Sequence, residues 1–307
     1  MGSELHIERL KRAYESLEGL SCGDAFGERF FSSRAIAEAA IGQRALPAPP
    51  WFFTDDTNMA LSILSTLEEH GEINQEHLVR SFAKHYDPSR GYGRAMHTLL
   101  TKLRRRPGAW REESQALFRG EGSYGNGSAM RVAPLGAYFA DDLDRIAEQA
   151  KLSSVTTHCH PEAIAGATAV AVAAGLAWQW RNRGRLPAPN EFLEEVIRRT
   201  PASHVRRGIQ KAQELPIGCP VESAVAILGN GSAVTAPDTV PFALCAAAHH
   251  LDDFEAAMWT TISALGDCDT NCAIVGGIVA SYAGHDGIPK MWLALREPLP
   301  YHLLKQL

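Results

Sequence analysis

From Ala163 to Trp180 the chain runs 18 residues without a charge, and it then meets Arg181, Arg183 and Arg185. As a helix this run would be about 27 Å long at 1.5 Å per residue, marginal for a bilayer core. It is mostly Ala, with Gly, Thr and Gln among them, and holds one Leu and one Ile. So little apolar bulk suits a central helix covered on every side by other helices, and no membrane partner is expected.

The covering helices are legible in the apolar spacing. Leu5, Ile7, Leu10, Tyr14, Leu17 and Leu20 make one stripe over 5–20. Similar stripes run at about 57–69, 75–86, 129–139, 143–153, 190–199, 221–228, 240–250 and 253–265. Strict apolar/polar alternation is almost absent, and the Asn-Gly pairs at 126 and 230 precede Ala-rich helical stretches instead of strands. Breaks fall at Leu46-Pro-Ala-Pro-Pro50, Arg106-Pro-Gly108, Leu186-Pro-Ala-Pro189 and Pro216-Ile-Gly-Cys-Pro220. With no repeat and no shift of composition, the pattern predicts an all-α, single compact multi-helix domain over 1–307. It should hold ten or more helices, with Ala and Gly letting them approach closely.

A 307-residue chain that is 45% hydrophobic and 21% charged is neither disordered nor a disulfide-stapled scaffold. Its 30 basic and 35 acidic residues leave a net charge of −5, which argues against dedicated nucleic-acid binding. The segment MGSELHIERLKRAYESL lacks the apolar core of a secretory signal, and the six cysteines form no CxxC pair. A cytoplasmic protein with reduced thiols is the expectation.

Three Asp-Asp pairs occur. Asp141-Asp142 and Asp252-Asp253 stand just before amphipathic helices, where carboxylates cap free N–H groups. Asp55-Asp56 differs, because it follows Trp51-Phe-Phe-Thr54 at the start of another helix. Two carboxylates beside so apolar a run repel one another unless something positive lies between them. Gly266-Asp-Cys-Asp-Thr-Asn-Cys272 repeats the theme, with Asp267, Asp269 and Thr270 opening the apolar helix that follows. Its D-x-D-x-N spacing is not an EF-hand, since Cys272 and Ile278 stand where Gly and Glu are required. The second cluster alone also fits a capped buried helix. Together Thr54, Asp55, Asp56, Asp267, Asp269 and Thr270 offer six hard oxygens. Their four carboxylates would neutralise two divalent cations, Mg²⁺, Mn²⁺ or Ca²⁺ in preference to Zn²⁺.

Gly120-Glu-Gly-Ser-Tyr-Gly-Asn-Gly-Ser-Ala-Met-Arg131 leads into a helix and reads either as a plain turn or as an anion-binding loop. Neither Walker A nor Rossmann context accompanies it. His158, in Thr156-Thr-His-Cys-His-Pro161, reads as a capping or core residue or as a ligand contact. His285-Asp286 lacks the later Asp that an HD-type phosphohydrolase needs.

Gly19-Leu-Ser-Cys-Gly-Asp-Ala-Phe-Gly27, Thr54-Asp-Asp-Thr-Asn-Met59, Ser123-Tyr-Gly-Asn-Gly-Ser-Ala-Met-Arg131, Val132-Ala-Pro-Leu-Gly136, Thr157-His158 and Gly266-Asp-Cys-Asp-Thr-Asn-Cys-Ala-Ile-Val-Gly-Gly277 occur in this order. With these motifs the chain resembles the ADP-ribosylglycohydrolase family over about residues 19–284. That is the family of the dinitrogenase-reductase-activating glycohydrolase and the ADP-ribosyl-acceptor hydrolases. The resemblance implies a compact all-α fold with two Mg²⁺ (or Mn²⁺) held by Thr54, Asp55, Asp56, Asp267, Asp269 and Thr270. It also implies hydrolysis of the bond between ADP-ribose and an acceptor, a protein side chain or related conjugate. Ser123, Tyr124, Gly125, Asn126, Gly127 and Ser128 would cradle phosphates and the distal ribose, with Asp24 and His158 also meeting substrate. Asp56 or Asp269 would act as general base.

Two positions depart from the family pattern. Many members carry a Glu seven positions beyond the residue matching Asp24, and here that place is Phe31. Glu28 or Glu38 would substitute for it, with Glu28 the nearer. Cys268 stands at a small polar position of the metal motif, its side chain expected to point away from residues 267 and 269. Phe31 also keeps open a non-catalytic relative that binds ADP-ribose, or a hydrolase of another nucleotide or small glycoside.

Overall fold

The computed structural model describes residues 2–300; residue 1 and residues 301–307 of the expected 1–307 domain lie outside the described residues. The protein is all-α: its named elements are α-helices and short 3₁₀ turns, with two isolated bridges and no strand among the described residues.

The uncharged run forms the helix Pro161–Asn182, and 83% of its most apolar window is buried inside the molecule. Pro161 at its start needs no N–H partner, and the His160 ring accepts the Glu162 N–H at 3.1 Å. Most of the other expected stripes form helices as well, among them Asp55–His70, Gln75–His85, Leu143–Ser154, Pro189–Arg199, Val221–Leu228, Ala236–His249 and Phe254–Ser263. Asp142 and Asp253 cap their helices as expected, accepting N–H groups of Arg145 at 3.1 Å and Ala256 at 2.9 Å. The stripe at 129–139 narrows to a helix over Ala133–Tyr138. Asn126–Ser128 winds as a 3₁₀ turn, and Pro134 has no N–H to extend an earlier helix.

The architecture turns on one close contact, between the first helix, Gly2–Glu28, and the helix Cys268–Ala283. Gly19, Gly23 and Gly27 recur at i, i+4 and i+8, so they form one ridge on the first helix. A Cβ at Gly23 would lie 2.1 Å from the Cys272 carbonyl oxygen, and one at Gly19 would lie 2.3 Å from that of Gly276. Only hydrogen at these positions lets the two backbones meet. The consequence is functional, because Asp24 on the first helix comes to rest beside Asp269 at the start of the other.

Candidate active site

The segment before Asp55 is fixed on both sides. Trp51 is fully buried against Phe26 and Trp292, its N–H donates to the Leu295 carbonyl, and Glu297 N–H returns a bond to Trp51 O. Phe53 lies under the Arg90 guanidinium, 4.2 Å from its ring centroid, while Arg90 Nη1 donates to Phe53 O at 2.7 Å. The chain then turns into helix Asp55–His70 with Asp55 N–H bonded to Arg90 O at 2.7 Å.

Asp24 completes this helix start. The backbone N–H and hydroxyl of Thr54 and of Thr57 all donate to its carboxylate, at 2.5–3.1 Å. Fully buried and absent from the cavity wall, Asp24 supports the site from behind, which corrects its expected role as a substrate contact. Ser128 needs the same correction: it is fully buried and its hydroxyl donates to Ala163 O at 3.3 Å. Thr54 is also turned inward, its single hydroxyl proton lying between Asp24 Oδ1 at 2.8 Å and Asp56 Oδ2 at 2.9 Å.

The second cluster is aimed by a turn. Gly266 has φ +78°, and a Cβ there would lie 2.2 Å from the Asn230 carbonyl oxygen. That same oxygen accepts the Asp267 N–H at 3.1 Å and Asn271 Nδ2 at 2.7 Å. The two remote clusters meet: carboxylate oxygens of Asp24, Asp56 and Asp269 lie within 4.8 Å of one another. Asp55, Asp56, Asp267, Asp269 and Thr270 all line one cavity of about 620 Å³.

Charge makes this cluster costly without a counter-ion. Burial, reinforced by the neighbouring carboxylates, holds Asp56 and Asp269 well above the usual carboxylate range and pushes Asp55 up to about 8. Burial also raises Asp24 and Asp267, against the lowering effect of their hydrogen bonds. Asp56 Oδ1 is buried with no hydrogen-bond partner among the described residues. An orphaned carboxylate oxygen amid like charges is what a hard divalent cation satisfies, and this all-oxygen donor set fits Mg²⁺ or Mn²⁺. Arg131, fully buried with its guanidinium 4.6 Å above the Phe82 ring, adds a fixed cation behind the site. Burial lowers its pKa to about 9, and it remains charged at neutral pH.

The glycine-rich loop forms another wall. Asn126 is buried, and its amide donates to Asp267 Oδ2 at 2.6 Å and to Thr239 Oγ1 at 3.0 Å, tying the loop to the acidic cluster. The His158 ring packs against Gly127, where a Cβ would approach it to 2.8 Å, and its Nδ1 pairs with Thr157 Oγ1 at 2.7 Å. Burial, followed by the charge of Arg131, lowers the His158 pKa to about 3. It therefore buttresses the loop as a neutral ring. Ser123, Tyr124, Gly125, Asn126, Gly127 and His158 all line the cavity.

Of the two substitutes considered for the missing Glu, Glu28 lines the cavity beside Phe31, whereas Glu38 pairs with Arg34 at 2.7 Å on an exposed helix. Burial and the charge of Asp24 raise the Glu28 pKa. Cys268 is buried and does not line the cavity.

Several wall residues were not anticipated: Gly91, Gly93 and Arg94, Phe118, and Ala233, Val234 and Thr235. A second glycine cluster, Arg90-Gly-Tyr-Gly-Arg94, was the available signal for the first group. Phe118 and Tyr124 line the cavity while both are exposed, their rings tilted to one another with centroids 6.4 Å apart. Arg94 is the one Lys or Arg among the described lining residues, and its guanidinium has no partner among the described residues.

Comparison with known proteins points the same way. The profile of the ADP-ribosylglycohydrolase family matches residues 5–307. ADP-ribosylhydrolase ARH3 of Homo sapiens is 30% identical over 279 residues, covering 78% of this chain and 73% of that protein. ADP-ribosylarginine hydrolase Tri1 of Serratia proteamaculans is 23% identical over 297 residues, covering 93% and 75%. A solved structure described as an ADP-ribosylglycohydrolase-related protein complex is similar with a TM-score of 0.65 and 25% identity, covering 94% of this chain and 93% of that one.

Proposed function

The chain belongs to the ADP-ribosylglycohydrolase family, and on that footing we propose that it hydrolyses the glycosidic bond joining ADP-ribose to an acceptor. The acceptor is a protein side chain or a related conjugate. The convergence of two aspartate clusters, one buried and one half-buried, on the wall of a cavity of about 620 Å³ carries this reading.

Asp55, Asp56, Asp267, Asp269 and Thr270 would hold two Mg²⁺ or Mn²⁺ ions, with Thr54 supporting Asp56 from behind. When bound, such ions supply a grip on vicinal ribose hydroxyls and make a nearby water more acidic. The bond from C1″ to the acceptor heteroatom breaks with oxocarbenium character as the water oxygen bonds to C1″; Asp56 or Asp269 takes the water's proton, and the departing heteroatom keeps the bond's electron pair and gains a proton from solvent. Glu28 stands at the wall to bond the ribose hydroxyls, in the place that the resemblance gives to a carboxylate at Phe31. The loop Ser123–Gly127 and the Arg94 guanidinium receive the pyrophosphate. Phe118 and Tyr124 offer ring faces to the adenine. All six cysteines are free thiols, in keeping with a cytoplasmic setting.

The test is incubation with serine- and arginine-linked ADP-ribosyl peptides, with and without Mg²⁺, read by mass spectrometry. Cation-dependent release of ADP-ribose from at least one conjugate is expected. Binding of ADP-ribose with no release from any conjugate would favour the non-catalytic alternative, for which Phe31 on the cavity wall is the specific observation.

A further inference from the structure

At the opposite end of helix Asp55–His70 a second group of ligand atoms converges. Glu69 and His70 end that helix, and His77 lies in the first turn of the next, Gln75–His85. Their carboxylate and imidazole atoms lie within 4.8 Å of one another. Glu69 Oε1 is 3.7 Å from His70 Nε2 and 3.6 Å from His77 Nδ1, and the two imidazoles meet edge to face with centroids 4.7 Å apart.

The turn that brings them together is held from several sides. Gly71 ends the first helix at φ +71° with its N–H on Leu67 O at 2.8 Å. Asn74 caps the second by accepting the His77 N–H at 3.0 Å. Between them, Ile73 N–H donates to Gln149 Oε1 at 2.6 Å, and Gln75 Nε2 donates to Leu152 O at 3.0 Å. The backbone carrying the three side chains is therefore fixed, and only side-chain torsions remain to be set.

Ligand atoms about 2.0–2.1 Å from a tetrahedral ion lie about 3.3 Å apart. Two of the three separations here exceed that by only a few tenths of an ångström, and the third is no more than 4.8 Å. Two imidazoles and a carboxylate suit a borderline transition ion and match poorly the all-oxygen preference of Mg²⁺. Glu69 is fourteen residues beyond Asp55, about 21 Å along the helix axis, and none of the three residues lines the catalytic cavity.

We propose that Glu69, His70 and His77 form a separate site for one Zn²⁺, with solvent completing the coordination, which clamps the two helices across their turn. The proposal is independent of the catalytic reading. It is tested on the full chain, pre-equilibrated with excess Mg²⁺ to occupy the acidic cavity, by calorimetric titration with Zn²⁺ and by thermal melting. One equivalent of Zn²⁺ should bind and raise Tm. His70→Gln and His77→Gln should each weaken binding by at least about tenfold while leaving the Mg²⁺ response of Tm unchanged. Co²⁺ should give the visible absorption of a tetrahedral site in the parent protein and lose it in both variants. Equal Zn²⁺ uptake by the double variant, or no uptake by the parent, would overturn the proposal.

Discussion

Glu28 carries the sharpest residue-level expectation. It lines the cavity while Glu38 is tied to Arg34 at the surface, so Glu28→Gln should lower kcat about 100-fold and Glu38→Gln should leave it unchanged. Equal rates for the two variants in a single-turnover assay would remove Glu28 from the chemistry. Arg94 supplies the cavity's lysine-or-arginine charge, and Arg94→Ala should raise KM about tenfold at constant kcat. A fall in kcat with KM unchanged would speak against phosphate binding there. At this scale the sequence picked out motifs that the fold brings to one cavity, without telling which of their side chains line it. Asp24 and Ser128 sit inside motifs of the right kind, yet one caps a helix from outside it and the other bonds to Ala163 O. Phe118 was missed because a lone Phe on the surface carries no pattern until the fold puts it beside a cavity, whereas Arg94 closes a glycine cluster, Arg90-Gly-Tyr-Gly-Arg94, whose link to the site only the fold supplies.

Between elements, the site depends on how closely two helices lie. Gly23→Ala would push a Cβ against the Cys272 carbonyl, which is backbone and cannot swing aside. Destabilisation of about 1–3 kcal/mol is expected, with a loss of activity beyond what reduced folding explains, because Asp24 and Asp269 would separate. Chemical denaturation and activity measured on the folded fraction decide it; a stability loss with full specific activity would show that the helix spacing does not set the site. Helices were legible where an apolar stripe is wide. The helix Arg34–Gly42 was not, since it is only nine residues long and buries only Ala37. His204–Glu214 buries only Val205, Ile209 and Ala212 among many charges, a face too narrow to stand out. The helix Arg94–Arg105 does carry a stripe in Met96, Leu99, Leu100 and Leu103, but its basic residues lower its mean hydropathy.

For the whole molecule, the buried acids make stability a function of pH and cations together. Without cations the folded protein keeps protons on Asp55, Asp56 and Asp269 that the unfolded chain releases near pH 4. Between that value and the raised folded pKa values, about 8 for Asp55, the folded state binds more protons, so its stability falls as pH rises. Bound cations take the place of those protons. With a chelator present, Tm should therefore drop from pH 5 to pH 8, while Mg²⁺ should flatten the curve and widen the gap as pH rises. Parallel curves would deny that these carboxylates share a cation site. The all-α class was readable from spacing alone, whereas the meeting of residues 55–56 with 267–269 was not, because it depends on a helix contact more than 200 residues apart in sequence. The most direct measurement is Mn²⁺ stoichiometry on chelator-treated protein, for the parent chain, Asp56→Asn and Asp269→Asn. Two ions per parent chain are expected, with tight uptake lost when either cluster alone is altered. Two ions still held tightly by either variant would contradict this.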